Sequence, residues 1–148
     1  ERVTFYDKLI EYHARIDERA KRIRTVPGVG PITASAIVAT IGDGKQFKNG
    51  REFAAWLGLT LLNRSSGGKE RLGRISKKGD RYLRRLLVIG MTSQMQRARG
   101  YPERVHPWIM QLLERKPVRL ATIAMANKTA RIIWATLTKE TYYRQTAA

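Results

Sequence analysis

Ser65 and Ser66 sit beside Gly67 and Gly68 in the stretch Arg64-Ser65-Ser66-Gly67-Gly68-Lys69-Glu70-Arg71-Leu72-Gly73-Arg74-Ile75-Ser76-Lys77-Lys78-Gly79-Asp80. Between positions 63 and 85 the cations are Arg64, Lys69, Arg71, Arg74, Lys77, Lys78, Arg81, Arg84 and Arg85, against the acids Glu70 and Asp80. Such a segment suits a polyanion, and its hydroxyls could react with one. A serine hydroxyl is a weak nucleophile until a base accepts its proton. Neither histidine, His13 or His106, is near in sequence, so no Ser-His pair is indicated. The cations could hold a phosphate and spread the charge of its transition state. The glycines would let the backbone close around it. The competing reading makes Ser65 and Ser66 ordinary turn residues in a basic loop, and on residue types alone it carries the greater weight.

The rest of the chain must position this stretch. Its 148 residues fit one domain with an appended helix, and 43% hydrophobic residues suffice for a core. A net charge of +17 points to nucleic acid, since a soluble surface needs a net charge of only about 2–8. The absence of cysteine removes disulfides and thiolate metal sites. His13 and His106 are not in a ligand spacing, and Asp7, Asp17, Asp43 and Asp80 are scattered, so no metal set is visible. No apolar run is long enough to span a bilayer and no signal-peptide pattern is present, which leads to the expectation of a cytoplasmic protein.

The predicted fold is mainly α. Residues 1–24 read as one helix with Phe5, Leu9, Tyr12, Ile16 and Ile23 on a seam broken at Arg19. With no N-cap before Glu1, it is expected to be the end of a longer helix, a helical linker or coiled-coil segment; packing on its own domain is an equal alternative. Residues 25–148 form the second unit. In Thr25-Val26-Pro27-Gly28-Val29-Gly30-Pro31, the glycines Gly28 and Gly30 make a tight turn and Pro31 opens a helix running to Gly42. This reads as the hairpin of a helix-hairpin-helix, whose Cβ-free glycines admit a phosphate to backbone amides. A plain corner between helices is the competing reading. A dinucleotide-binding reading fails, because Lys21-Arg22-Ile23-Arg24 before the glycines is a helix end and not a buried strand. Asn49 caps a short helix burying Phe53, Trp56 and Leu57, which Gly58 stops. Residues 59–76 hold a short β-hairpin, with strands near 60–63 and 71–75, or an ordered loop. Asp80 caps a helix to about Arg99 with Tyr82, Leu83, Leu86, Leu87, Ile89, Gly90 and Met91 on its apolar face. Arg81, Arg84 and Arg85 oppose the dipole of that helix, a placement that an anionic ligand would explain. A shorter helix carries Trp108 to Leu113, and a final one runs from Val118 to Tyr142 with Asn127 as a core amide.

The order VPGVGPITA, FAAWLGLT, SSGGKERLGRISKKGDRYLRRLL and a basic helical tail closely resembles the C-terminal domain of the insertion-sequence one-ten family of transposases, bridge-RNA-guided recombinases, from about Thr25 to Tyr142. The resemblance implies a serine nucleophile, matched here by Ser66 with Ser65 as its neighbouring alternative. It further implies a composite active site with an N-terminal RuvC-like domain whose DEDD carboxylates hold magnesium. That domain is absent from this chain, so no cofactor is expected on it and the isolated chain is expected to bind without cutting. The implied partners are DNA, a guide RNA and further copies of the protein, near the prokaryotic nucleoid and away from membranes. The family often has proline after Gly-Leu-Thr, where this chain has Leu61. Two readings stand beside this one: a non-catalytic helix-hairpin-helix module that binds DNA or RNA, and an RNA-binding scaffold of ribosomal type.

Overall fold

The computed structural model describes residues 1–66, 69–75 and 80–144, with 61–66 and 69–75 described as backbone. Its elements are α1 (Arg2–Ile16), α2 (Glu18–Arg24), α3 (Pro31–Ile41), α4 (Gly50–Trp56), β1 (Leu61–Ser66), β2 (Lys69–Ile75), α5 (Arg81–Gly100), a 3-10 turn at Pro102–Arg104, α6 (Pro107–Arg115) and α7 (Val118–Lys139). The class is mainly helical, as the sequence predicts. The central element is α7, which packs against α2, α4, α5 and α6. It contributes Ile133 and Leu137 to a core shared with Ile23, Ile37, Phe53 and Leu57. Leu83, Leu87 and Met91 line the buried face of α5 one turn apart, followed by Met95. Tyr82 and Ile89, expected on that face, are exposed, because the stripe is narrower than the run of apolar residues suggests.

The single helix expected over residues 1–24 is two helices. Asp17 has extended backbone angles and caps α2, accepting from the amides of Arg19 at 2.9 Å and Ala20 at 3.4 Å. Its carboxylate also takes two bonds from the Arg19 guanidinium, at 3.1 and 3.3 Å. An aspartate satisfies orphan amides better than it continues a helix, so the chain restarts there. The expected seam divides accordingly. Ile23 is fully buried, whereas Phe5, Leu9, Tyr12 and Ile16 are exposed. The face that α1 turns inward is a small-residue face: Ala14 is buried, and the Ser35 hydroxyl of α3 donates to the Ile10 carbonyl at 3.4 Å.

Other caps are as predicted. Asn49 accepts from the Glu52 amide at 2.9 Å, and Asp80 accepts from the Leu83 amide at 2.8 Å. Trp56 departs from the expected burial. It is 36% exposed rather than buried, lying over Phe47 and Phe53 at the edge of the core. The last helix stops at Lys139, short of Tyr142, because Glu140 takes a left-handed conformation with φ 54°.

Gly28 and Gly90 set the approach of the α2–α3 turn to α5. Gly28 has φ 86°, and a Cβ there would collide with the Met91 methyl group. A Cβ on Gly90 would collide with the Gly28 carbonyl oxygen, a backbone atom that cannot rotate away. Replacing a mid-helix glycine by alanine ordinarily gains about 1 kcal/mol. Here overpacking against backbone, about 1–3 kcal/mol, opposes and exceeds that gain. Gly90→Ala is therefore expected to lower the urea midpoint, whereas an unchanged or raised midpoint would show that the turn can retreat from α5.

Asp17 gives a second test. The Arg19 side-chain bond, more than its partial burial opposes, holds the Asp17 carboxyl below its ordinary value. A depressed folded pKa stabilises above the unfolded value and is lost as pH falls through the folded one. Asp17→Ala should cost about 0.5–2 kcal/mol near neutral pH. That difference should shrink below about pH 4, as read by urea melts across pH.

Candidate nucleic-acid interface

The cationic hairpin grows from two fixed points on the helical body. On the entry side, Leu59 is fully buried and its carbonyl accepts from the Asn127 amide of α7 at 3.3 Å. Two residues earlier, the Leu57 carbonyl accepts from the Arg84 guanidinium at 3.3 Å. On the exit side, Asp80 is anchored by capping α5. Asn127 is thus the satisfied core amide expected from the sequence.

Between these anchors, β1 and β2 pair antiparallel, with Ser66 opposite Lys69, Ser65 opposite Glu70 and Arg64 opposite Arg71. Leu61 pairs with Ile75 and Asn63 with Leu72, so β2 carries one extra residue within Gly73–Arg74. Such a bulge raises local twist. The strands are longer than expected and place Ser65 and Ser66 in β1 rather than in the turn. Gly67, Gly68, Lys77 and Lys78 lie outside the described residues. The backbone of Arg64, Lys69, Arg71 and Arg74 lies on the two strands.

Arg81 and Arg85 are exposed in the first turns of α5, while Arg84 is half-buried against the hairpin root. Bracing of Leu57 thus gives Arg84 a structural task that sequence spacing does not reveal. Gly28 faces Met91 and Gly90, so its lack of a Cβ serves packing. Gly30 differs: a Cβ there would meet nothing within 4 Å. It precedes Pro31 at the start of α3, a helix whose N-terminus has no side-chain cap.

A second feature escapes sequence patterning. A groove of about 1030 Å³ opens between α6, α7 and the segment after α7, bordered by Trp108, Lys128 and Tyr143. Lys128 Nζ lies 3.8 Å from the centre of the Trp108 ring. Burial, reinforced by neighbouring Arg131, holds the Lys128 pKa below its ordinary value. The groove joins residues distant in the chain, and the clue was a tryptophan and a lysine on two separate helices.

The described acids do not assemble a metal site. Asp17 and Asp80 cap helices, and Asp43 accepts from the Lys45 amide at 3.0 Å. Among the described residues no three His, Asp or Glu side chains converge on one point. Among them, too, no helix is long and apolar enough to cross a membrane.

Residues 20–106 match the family described as "Transposase IS116/IS110/IS902 family". A relative from Pseudomonas aeruginosa, named "Probable family 20 transposase", is 46% identical over 143 residues, covering 97% of this chain and 42% of the relative. The transposase for insertion sequence element IS1328 of Yersinia enterocolitica is 39% identical over 143 residues, covering 97% of this chain and 43% of that protein. The transposase for insertion sequence element IS1111A of Coxiella burnetii is 37% identical over 139 residues, covering 94% and 38%. The chain therefore spans about two fifths of the length of these relatives.

The hairpin root is open to test. Asn127→Ala removes the donor from the buried Leu59 carbonyl and should cost about 1–3 kcal/mol in chemical denaturation. Asn127→Asp should lose at least as much, since a carboxylate cannot donate. An Asp variant as stable as the parent would show that the hydrogen bond is not what holds Leu59.

Proposed function

The chain belongs to the IS116/IS110/IS902 family of transposases, and from that membership we propose that it is the serine-bearing DNA-binding part of a recombinase. The observation that carries the reading is the hairpin. Ser66 stands at the end of β1, paired with Lys69, within the most cationic segment of the chain, whose roots are anchored by Asn127, Arg84 and Asp80. A hydroxyl nucleophile needs a held phosphate more than it needs mobility.

In the proposed reaction the Ser66 Oγ attacks a DNA phosphodiester. An oxygen–phosphorus bond to serine forms, one DNA oxygen leaves as a hydroxyl, and the serine proton passes to an acceptor. A DNA hydroxyl then attacks the phosphoserine, restoring the serine and a phosphodiester. Bond energy is conserved, so strands can be exchanged without an external energy source. Arg64, Lys69, Arg71 and Arg74, with Gly67, Gly68, Lys77 and Lys78, would bind the scissile phosphate and its developing charge. Arg81 and Arg85 extend the cationic surface along α5. The α2–turn–α3 unit, read as a helix-hairpin-helix, would hold a neighbouring phosphate at the open backbone around Gly30.

In the same reading, a DEDD carboxylate set elsewhere in the full-length protein would hold magnesium. Guide RNA binding and assembly of several copies belong to the same reading of the full-length protein.

The test is a denaturing gel of the full-length protein with a cleavable target. A serine-linked DNA band should appear, survive Ser65→Ala and vanish in Ser66→Ala, with DNA affinity within about twofold of the parent. A band retained in Ser66→Ala removes Ser66 from the mechanism, and its loss in Ser65→Ala instead would move the nucleophile to Ser65. No covalent band in any variant, with binding and its steep salt dependence intact, would favour a module that docks on phosphates without chemistry.

A further inference from the structure

The groove beside α7 differs from the hairpin in its chemistry. A phosphate grip needs charge and backbone, whereas this site combines charge with aromatic faces. Trp108 is half-buried in its wall, and Tyr142 and Tyr143 line it from the segment after α7. The cations on its border are Arg104, Lys128, Lys139 and Arg144, with Glu140 the acid among them. Its volume of about 1030 Å³ is at the upper end of the roughly 300–1,000 Å³ typical of ligand sites.

We propose that this groove binds an unpaired stretch of DNA, with a base stacked on Trp108 and the adjoining phosphate held by Lys128. Stacked bases in a duplex present only their edges to a protein, so an aromatic wall is useful only to bases that have left the helix. The cationic border disfavours a basic occupant by charge. Lys128 is already over the indole at 3.8 Å. An entering base takes its place on the ring, and the ammonium turns to the phosphate. Burial, and then Arg131, lower the proton affinity of Lys128, and an anionic phosphate beside it would offset both.

Trp108 also borders a smaller cavity with Leu59, Asn127 and Arg131. Leu59 is the buried anchor two residues before β1. The groove wall thus abuts the root of the cationic hairpin, and one strand could contact both. Binding here does not require Ser66 to be a nucleophile, so the two proposals fail separately.

The experiment measures fluorescence anisotropy of the 148-residue chain with a labelled oligothymidine of about 12 nucleotides, a length within the range one such site covers. Trp108→Ala should weaken this binding about tenfold or more, as loss of one stacked base predicts, and Trp108→Phe should restore most of it. Duplex DNA of equal length should change less than about twofold, since its affinity comes from phosphates elsewhere. Lys128→Gln should weaken the single strand and lower its log–log salt slope by about 0.7. Equal losses for duplex and single strand would overturn the proposal, as would a Trp108→Ala protein with unchanged affinity. A tenfold preference for oligouridine would assign the groove to RNA and overturn it as stated. Displacement of the oligonucleotide by an acidic peptide at equal affinity would assign it to a protein partner. If Trp108→Ala does not fold, ultraviolet cross-linking of the parent chain decides: adducts at Trp108, Tyr142 or Tyr143 support the groove, and adducts confined to the hairpin refute it.

Discussion

Two carbonyl groups hold the geometry on which the rest depends. The chain leaves the helical body at Leu57 and Leu59, where backbone oxygens would be left unpaired by the end of α4. Arg84 from α5 and Asn127 from α7 supply the missing donors. A buried carbonyl without a partner is costly, so these bonds fix the exit direction as well as stabilise it. The cationic strands are thereby attached to the two helices that form the centre of the core. Charge density that would repel itself on a free loop is carried by strands whose entry is held at Leu57 and Leu59.

Much of this was legible because capping residues and apolar periodicity are local signals. Asn49, Asp80, Gly58 and Pro31 stand where their types predict, and Leu83, Leu87 and Met91 recur at helical spacing. The structure departs from these signals where local and tertiary preferences compete. Asp17 falls inside the helix predicted over residues 1–24, but the two amides and the Arg19 guanidinium it accepts from together outweigh continuation. Trp56 had the composition of a core residue, but its ring found Phe47 and Phe53 at the periphery.

The candidate site was legible in a different way. Clustering of cations around Ser66 is visible in one dimension, and β1 and β2 set the backbone of Arg64 opposite that of Arg71. The groove at Trp108 was not visible, because it is made by α6, α7 and the segment after α7 meeting in space. Likewise, Arg84 reads as one of three equivalent arginines, and its partial burial and its bond to the Leu57 carbonyl separate it from the exposed Arg81 and Arg85.

The contact between Gly28 and Gly90 has a geometric meaning beyond packing. Gly90 lies nine residues beyond Arg81 on a straight helical path, about 13 Å along the axis at 1.5 Å per residue. With no side chain on either glycine, the turn before α3 rests directly on α5. The pair acts as a ruler, fixing how far the amides that open α3 stand from the arginines that open α5. A polyanion touching both ends meets two supports whose separation is set in the backbone itself, unaltered by any rotamer.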